Sequence, residues 1–330
     1  MAIYAALADR VLVGAGQDAT DPTVGLEGRD LACLAADARV PHRAFAGTVE
    51  SGLQRTTDAG KTWQPVGPFG TVGDRVTSVA VSPHDADVVW AGTEPSTVSV
   101  SRDGGDTWRG TADLTALPSA SRWSFPPRPH THHVRWLEPD PHEEGRLYVA
   151  IEAGAFLRTD DGGGTWQDHP EGARRDNHTV ATHPRAPGRV YVAAGDGYAE
   201  SVDGGDTWRY PQSGLHHQYV WSVAVDPGDP DCVVVSAAAG AHTAHYPERA
   251  ETVIARRVGD ADWETAMDGV GLAEDLVRAV LATDGTAGRV YALTNRGLFR
   301  SEDRAGTWNR VGLAPRETFE GQVGRGLAVV

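Results

Sequence analysis

Four copies of one eight-residue phrase constrain this chain more than any other feature. Thr56 to Trp63, Ser101 to Trp108, Thr159 to Trp166 and Ser201 to Trp208 all read Ser/Thr-x-Asp-x-Gly-x-Thr-Trp. A fifth copy, Ser301 to Trp308, carries Ala305 where the central Gly stands elsewhere, and a sixth, ending at Trp263, keeps little beyond the tryptophan. The six tryptophans fall 45, 58, 42, 55 and 45 residues apart. That period matches one four-stranded sheet unit and marks a radial or solenoid array. Each phrase has a structural reading: Asp accepts backbone N–H bonds in a tight turn, Gly supplies positive φ, and Thr and Trp anchor a hairpin to its blade.

Upstream of each tryptophan the same segments recur. In the second repeat they are residues 76–81, a Ser-Pro turn at Ser82-Pro83, then 87–92, 97–100 and the box. β-Branched and aromatic residues between Gly, Pro and Asp punctuation predict strands rather than helices. Six such units are complete, and the chain ends supply halves of a seventh: 3–7 and 10–14 match a second and third strand, and 326–330 a first strand. Pairing them leaves no open sheet edge. The expectation is all-β, one seven-bladed β-propeller domain over 1–330, with blades 1–6 from 29–323 and blade 7 from 324–330 plus 2–28. Six blades is the alternative if the ends fold otherwise.

Forty-five acidic against 30 basic residues give a net charge of −15, which argues against a nucleic-acid partner. No run reaches the roughly 18 apolar residues that span a bilayer, so no membrane partner is expected. Residues 1–5 lack the basic start and apolar core of a secretory signal, so the expected location is cytoplasmic. Cys33 and Cys232 lie in apolar runs and read as core residues.

The repeated phrase is that of the Asp-box, or BNR, repeat. The chain resembles the propellers that carry it: sialidases, sortilin-type receptors, xyloglucanases and photosystem II assembly factors. Single-propeller bacterial proteins with BNR-like or YVTN-like repeats are the nearest resemblance. The Phe/Tyr-Arg-Ile-Pro motif of sialidases is missing from the sequence, and the chain has length for one propeller where xyloglucanases of this type have two. The resemblance thus implies a fold and leaves open glycan binding, glycan cleavage or an assembly role.

In a propeller the boxes share one face with the turns between first and second strands, which leaves the opposite face for a ligand. Both long insertions fall on that opposite face, through 114–129 and 240–247, and loops of this length carry function more often than short ones. Alternation along the inner strands sends Thr77, Arg135, His178, Trp221 and Arg278 toward the channel mouth. Arg135 and Arg278 suit a carboxylate or phosphate, Trp221 and Tyr219 suit a ring or sugar, and His133 and His245 complete a binding rim. His178 can exchange protons near neutral pH, and Glu152 with Asp196 is the carboxylate pair that a glycoside hydrolase or lyase acting on an acidic sugar would need. A solvated polar rim is the plain alternative. No cofactor and no metal are expected, since His-x-His-His is no established ligand spacing, although His130, His132, His133, His178, His217 and His245 could supply imidazoles to a divalent ion. The leading expectation is recognition of a small anionic or glycan-like ligand at this mouth. A protein-binding scaffold is a further alternative, which predicts an exposed apolar patch, for example one with Trp123 and Phe125, and a copurifying partner.

Overall fold

The computed structural model describes residues 1–16, 21–67 and 70–330, so parts of the spans assigned to blades 7 and 1 lie outside the described residues. Seven antiparallel sheets follow one another round a ring. Blade 1 runs outward through Leu31–Ala36, Ala44–Thr48, Leu53–Thr56 and Gln64–Pro65. Blade 2 uses Val76–Val81, Val89–Thr93, Val98–Ser101 and Arg109–Gly110. Blades 3 and 4 have three strands each, starting with Val134–Pro139 and Asn177–Thr182, and their fourth strands shrink to single bridges at Gln167 and Arg209. Blades 5 and 6 start with Tyr219–Val225 and Val280–Ala282. The seventh sheet joins Gly326–Val329 to Ala2–Ala6, followed by Val11–Ala15 and Thr23–Gly25. Each inner strand packs against the next, and Gly326–Val329 packs against Leu31–Ala36, so the ring closes. The chain is a seven-bladed β-propeller.

The boxes form the hairpins between third and fourth strands. In the second, Asp103 accepts the Thr107 N–H at 2.8 Å and the Thr107 hydroxyl at 2.6 Å, while the Ser101 hydroxyl accepts the Gly105 N–H at 2.8 Å. The tryptophan does more than fix its own hairpin: it reaches the preceding blade. The indole N–H groups of Trp166, Trp263 and Trp308 donate to Ala112, Pro211 and Ala266 carbonyls at 3.0, 2.6 and 2.9 Å. Trp208 meets Phe156 edge-on at 4.9 Å, and a side chain at Gly25 would collide with the Trp63 indole, 2.2 Å from the added Cβ. The box repeat therefore holds the ring together blade to blade.

The inner strands share a second device. Between Leu31 and Cys33, Val76 and Ser78, Val134 and Trp136, Asn177 and Thr179, and Val220 and Ser222 the pairing register slips by one residue. The extra residues of these β-bulges are Ala32, Thr77, Arg135, His178 and Trp221. A bulge leaves its residue unpaired and re-aims its side chain. Here the bulges stack the neighbouring blades: the Thr77 hydroxyl donates to the Val134 carbonyl at 2.6 Å, and His178 Nδ1 bonds the Val220 carbonyl at 2.7 Å. Among the described residues no helix is long and apolar enough to cross a membrane. Cys33 and Cys232 are buried and unpaired.

Candidate functional site

The first residues of the inner strands and the turns between second and third strands meet at the mouth opposite the boxes. Blade 3 supplies His133, Arg135 and Glu152: His133 Nε2 lies 3.0 Å and Arg135 Nε 3.5 Å from the same Glu152 oxygen. Blade 4 supplies Asp176 and His178, with His178 Nε2 3.9 Å from Asp176. Blade 5 supplies Tyr219, Trp221 and His245, and the Tyr219 hydroxyl bonds His245 Nε2 at 2.9 Å. The Trp221 ring lies 4.5 Å from the His178 ring and 4.6 Å from the His245 ring. Arg135 and Arg278 both approach the face of Trp221, at 4.5 and 3.7 Å from its centroid.

The two insertions support this cluster from behind. Segment 114–129 forms two short 3-10 turns, Leu114–Ala116 and Pro118–Arg122, and buries Trp123 in the core of blades 2 and 3. Phe125 then meets His133 edge-on at 4.6 Å, and Arg128, which grips Glu94 through two bonds of 2.8 and 2.6 Å, lies over Phe125. Trp123 is therefore no part of an exposed apolar patch. The second insertion makes the single helical turn His242–His245 and delivers His245 to the site.

Three expected roles meet a different geometry. Asp196 does not sit with Glu152: it faces Arg174 at 4.0 Å with its side chain 45% exposed, and the carboxylate beside Glu152 is Asp176. The Arg278 guanidinium is not free to grip a ligand, since Nε donates to His245 Nδ1 at 2.7 Å and Nη1 to the Gly324 carbonyl at 3.0 Å. The histidines do not gather into one cluster: His130 is exposed, and His132 packs against Trp123. Among the described residues, the group of three with metal-type donors in reach of one another is Glu152, Asp176 and His178.

Sequence reasoning gave Asp176 no role and passed over Arg325. Asp176 stands two residues before His178, just outside the strand that alternation follows. Arg325 precedes the inner strand of blade 7, where Gly326 pairs with Ala6, and so occupies the place Arg135 holds in blade 3. That equivalence was the available signal.

The electrostatics are lopsided. Burial would raise the Glu152 carboxyl, yet the His133 bond and the neighbouring His178 and Arg135 hold it at about 2. Burial and the Glu152 charge raise Asp176, against the opposing pull of His178. Burial lowers His178, and burial together with Arg278 lowers His245 to about 2, so His245 is neutral and accepts from Arg278. Burial lowers Arg278 and Arg325; Arg325 and Arg135 add to this on Arg278, while on Arg325 the Asp30 charge opposes it and Arg135 adds to it. Below the mouth runs an axial cavity of about 390 Å³, lined by Arg135, Arg325, Trp136, Glu138 and Thr182 among apolar residues. Among the described residues Arg325 Nε has no hydrogen-bond partner, and Asp30 attracts the guanidinium without forming an ion pair with it.

No family model matches the chain. An oligoxyloglucan-reducing end-specific xyloglucanase of Emericella nidulans is 31% identical over 93 residues, which cover 28% of this chain and 10% of that protein. The GH74 xyloglucanase of Xanthomonas campestris superposes with a TM-score of 0.69 at 17% identity, covering 94% of this chain and 52% of the xyloglucanase. YCF48 bound to D1 peptide superposes with a TM-score of 0.58 at 20% identity, covering 85% of this chain and 82% of YCF48. The likeness is one of fold. This chain spans a tenth of the Emericella protein and about half of the Xanthomonas structure.

Proposed function

We propose that this propeller binds a small anionic, sugar-like ligand whose charged group sits at the mouth of the axial cavity, between Arg135 and Arg325. The observation that carries this reading is Arg325: a guanidinium that burial has stripped of much of its water, turned to a cavity, whose Nε has no hydrogen-bond partner and whose one attractive charge, Asp30, stands beyond ion-pair distance. A buried charge without a partner is costly, and a carboxylate or phosphate would relieve it through two parallel bonds. The cavity lies at the lower end of the range of small-molecule sites, about 300–1,000 Å³. A glycan class is favoured by the two xyloglucanases, one alike in sequence and the other in fold. Glycosidic cleavage by Glu152 with Asp196 is not favoured, because Asp196 faces Arg174 and does not sit with Glu152.

The test is calorimetric titration with glucuronate against glucose. Glucuronate should bind and glucose should not, and Arg325→Gln should weaken glucuronate at least tenfold while leaving the melting temperature within a few degrees. Equal binding of both sugars, or indifference to Arg325→Gln, would refute the reading.

A further inference from the structure

His178 is fully buried, and its Nδ1 lies 2.7 Å from the Val220 carbonyl oxygen. A carbonyl can only accept, so Nδ1 carries a hydrogen and Nε2 is the ring nitrogen whose lone pair a metal ion would take. That lone pair has no hydrogen-bond partner and points toward Asp176 Oδ1, another acceptor, 3.9 Å away. A Glu152 oxygen completes the triangle, all three donor atoms lying within 4.8 Å of one another. Three acceptors converging on one point, one of them buried and unpartnered, call for a cation at that point.

We propose that Glu152, Asp176 and His178 bind a divalent first-row transition ion. One imidazole and two carboxylates suit Mn²⁺, Fe²⁺ or Zn²⁺. At metal–ligand distances of about 2.0–2.2 Å, two donors on one ion stand roughly 3.4 Å apart in a tetrahedron and about 4.2 Å apart when opposed. The 3.9 Å separation already falls in that interval, and no separation among the three exceeds 4.8 Å.

Each donor is also held by a group that orients it, as metal ligands are. The Val220 carbonyl fixes the His178 tautomer, and the Ala153 N–H donates to Asp176 Oδ1 at 3.1 Å. His133 donates to Glu152 Oε2 at 3.0 Å. Ala153 adopts φ 49°, a left-handed conformation that an alanine takes only when its surroundings impose it. Gly195 leaves room for Asp176, since a Cβ there would lie 2.0 Å from Oδ2. The Asp176 side chain is 35% exposed and gives an ion its route in from solvent.

This inference goes beyond the anion reading and stands without it, because its readout is metal uptake and not sugar binding. The experiment treats purified protein with a chelator, removes the chelator, and titrates with MnCl2 and separately with ZnCl2. One ion per chain should bind, and Asp176→Asn, which keeps the Ala153 bond, should weaken it at least tenfold without moving the melting temperature of the metal-free protein. Pulsed EPR of the Mn²⁺ form should show coupling to one imidazole nitrogen, a readout on unaltered protein. No uptake of either ion, uptake that Asp176→Asn leaves unchanged, or Mn²⁺ bound without nitrogen coupling would each overturn the proposal.

Discussion

The guanidinium carbon of Arg278 lies 3.7 Å from the centre of the Trp221 ring, with both residues almost wholly buried. Among the described residues no carboxylate bonds this arginine; the ring face, His245 and the Gly324 carbonyl carry its charge. A desolvated cation over tryptophan gains about 2 kcal/mol, and tryptophan burial adds more. Trp221→Leu should therefore destabilise the protein by about 3 kcal/mol and Trp221→Phe, which keeps a π face, by roughly half as much. Urea midpoints at constant m-value would show it. Equal losses for the two variants would mean that the charge is held by something else.

Glu200 is the joint between blades 4 and 5. It takes Arg257 Nη2 at 2.5 Å, the Tyr198 hydroxyl at 2.7 Å and Arg209 Nε at 2.8 Å, and Glu200 and Arg257 are both buried. Removing one partner of such a pair strands the other, at a cost of about 3 kcal/mol or more. Glu200→Gln should lower the unfolding free energy by that amount, and a change below about 1 kcal/mol would show that water reaches Arg257.

The fifth box keeps its hydrogen bonds without its glycine. The Ala305 N–H still donates to the Ser301 hydroxyl at 2.8 Å, but Ala305 sits at φ 63° where Gly105 and Gly205 adopt 94° and 92°. A left-handed alanine costs about 1–2 kcal/mol, against about 0.8 kcal/mol for the methyl it buries. Ala305→Gly should stabilise the chain by about 0.5–1 kcal/mol in thermal or urea melts, opposite in sign to most glycine substitutions. Destabilisation would mean that the methyl matters more than the strain.

Glu138 lines the axial cavity and accepts from the Thr182 N–H at 3.0 Å and the Thr182 hydroxyl at 2.9 Å. Burial outweighs these bonds and pushes its carboxyl up from 4.5 to about 7. The folded state thus holds the proton more tightly than the unfolded chain. Its contribution to stability is greatest below pH 4.5, declines as pH rises from there to about 7, and stays flat beyond. Glu138→Gln should erase that decline and leave the variant more stable than the parent at pH 8 by about 2 kcal/mol. Urea midpoints for both proteins at pH 5 and pH 8 would decide, and parallel behaviour would place water beside Glu138.

The ring was legible because the box is local: Ser, Asp, Gly and Thr satisfy one another within eight residues, so their spacing survives in the sequence. The mouth was legible for the same reason in part. Thr77, Arg135, His178 and Trp221 occupy equivalent places in their repeats, and all four prove to be bulge residues. What sequence could not supply is contact between blades. Asp176 displaces Asp196 as the neighbour of Glu152 because the Glu152–Gly154 turn is clipped to the start of blade 4, where the Gly154 N–H donates to the Arg175 carbonyl at 2.9 Å. Arg278 turns inward to Trp221 and His245, leaving Arg325 with the bare guanidinium. Neither outcome has a local signature.

The seventh sheet pairs Ile3 with Val329 and Ala6 with Gly326. During synthesis residues 2–6 therefore wait for residues 326–329, some 320 residues further along the chain. At about 5–20 residues per second that interval is on the order of 15–60 s. Throughout it, the hydrogen-bonding edge of residues 2–6 has no native mate, which makes this strand the natural client of a chaperone and the first place where two nascent copies could exchange segments.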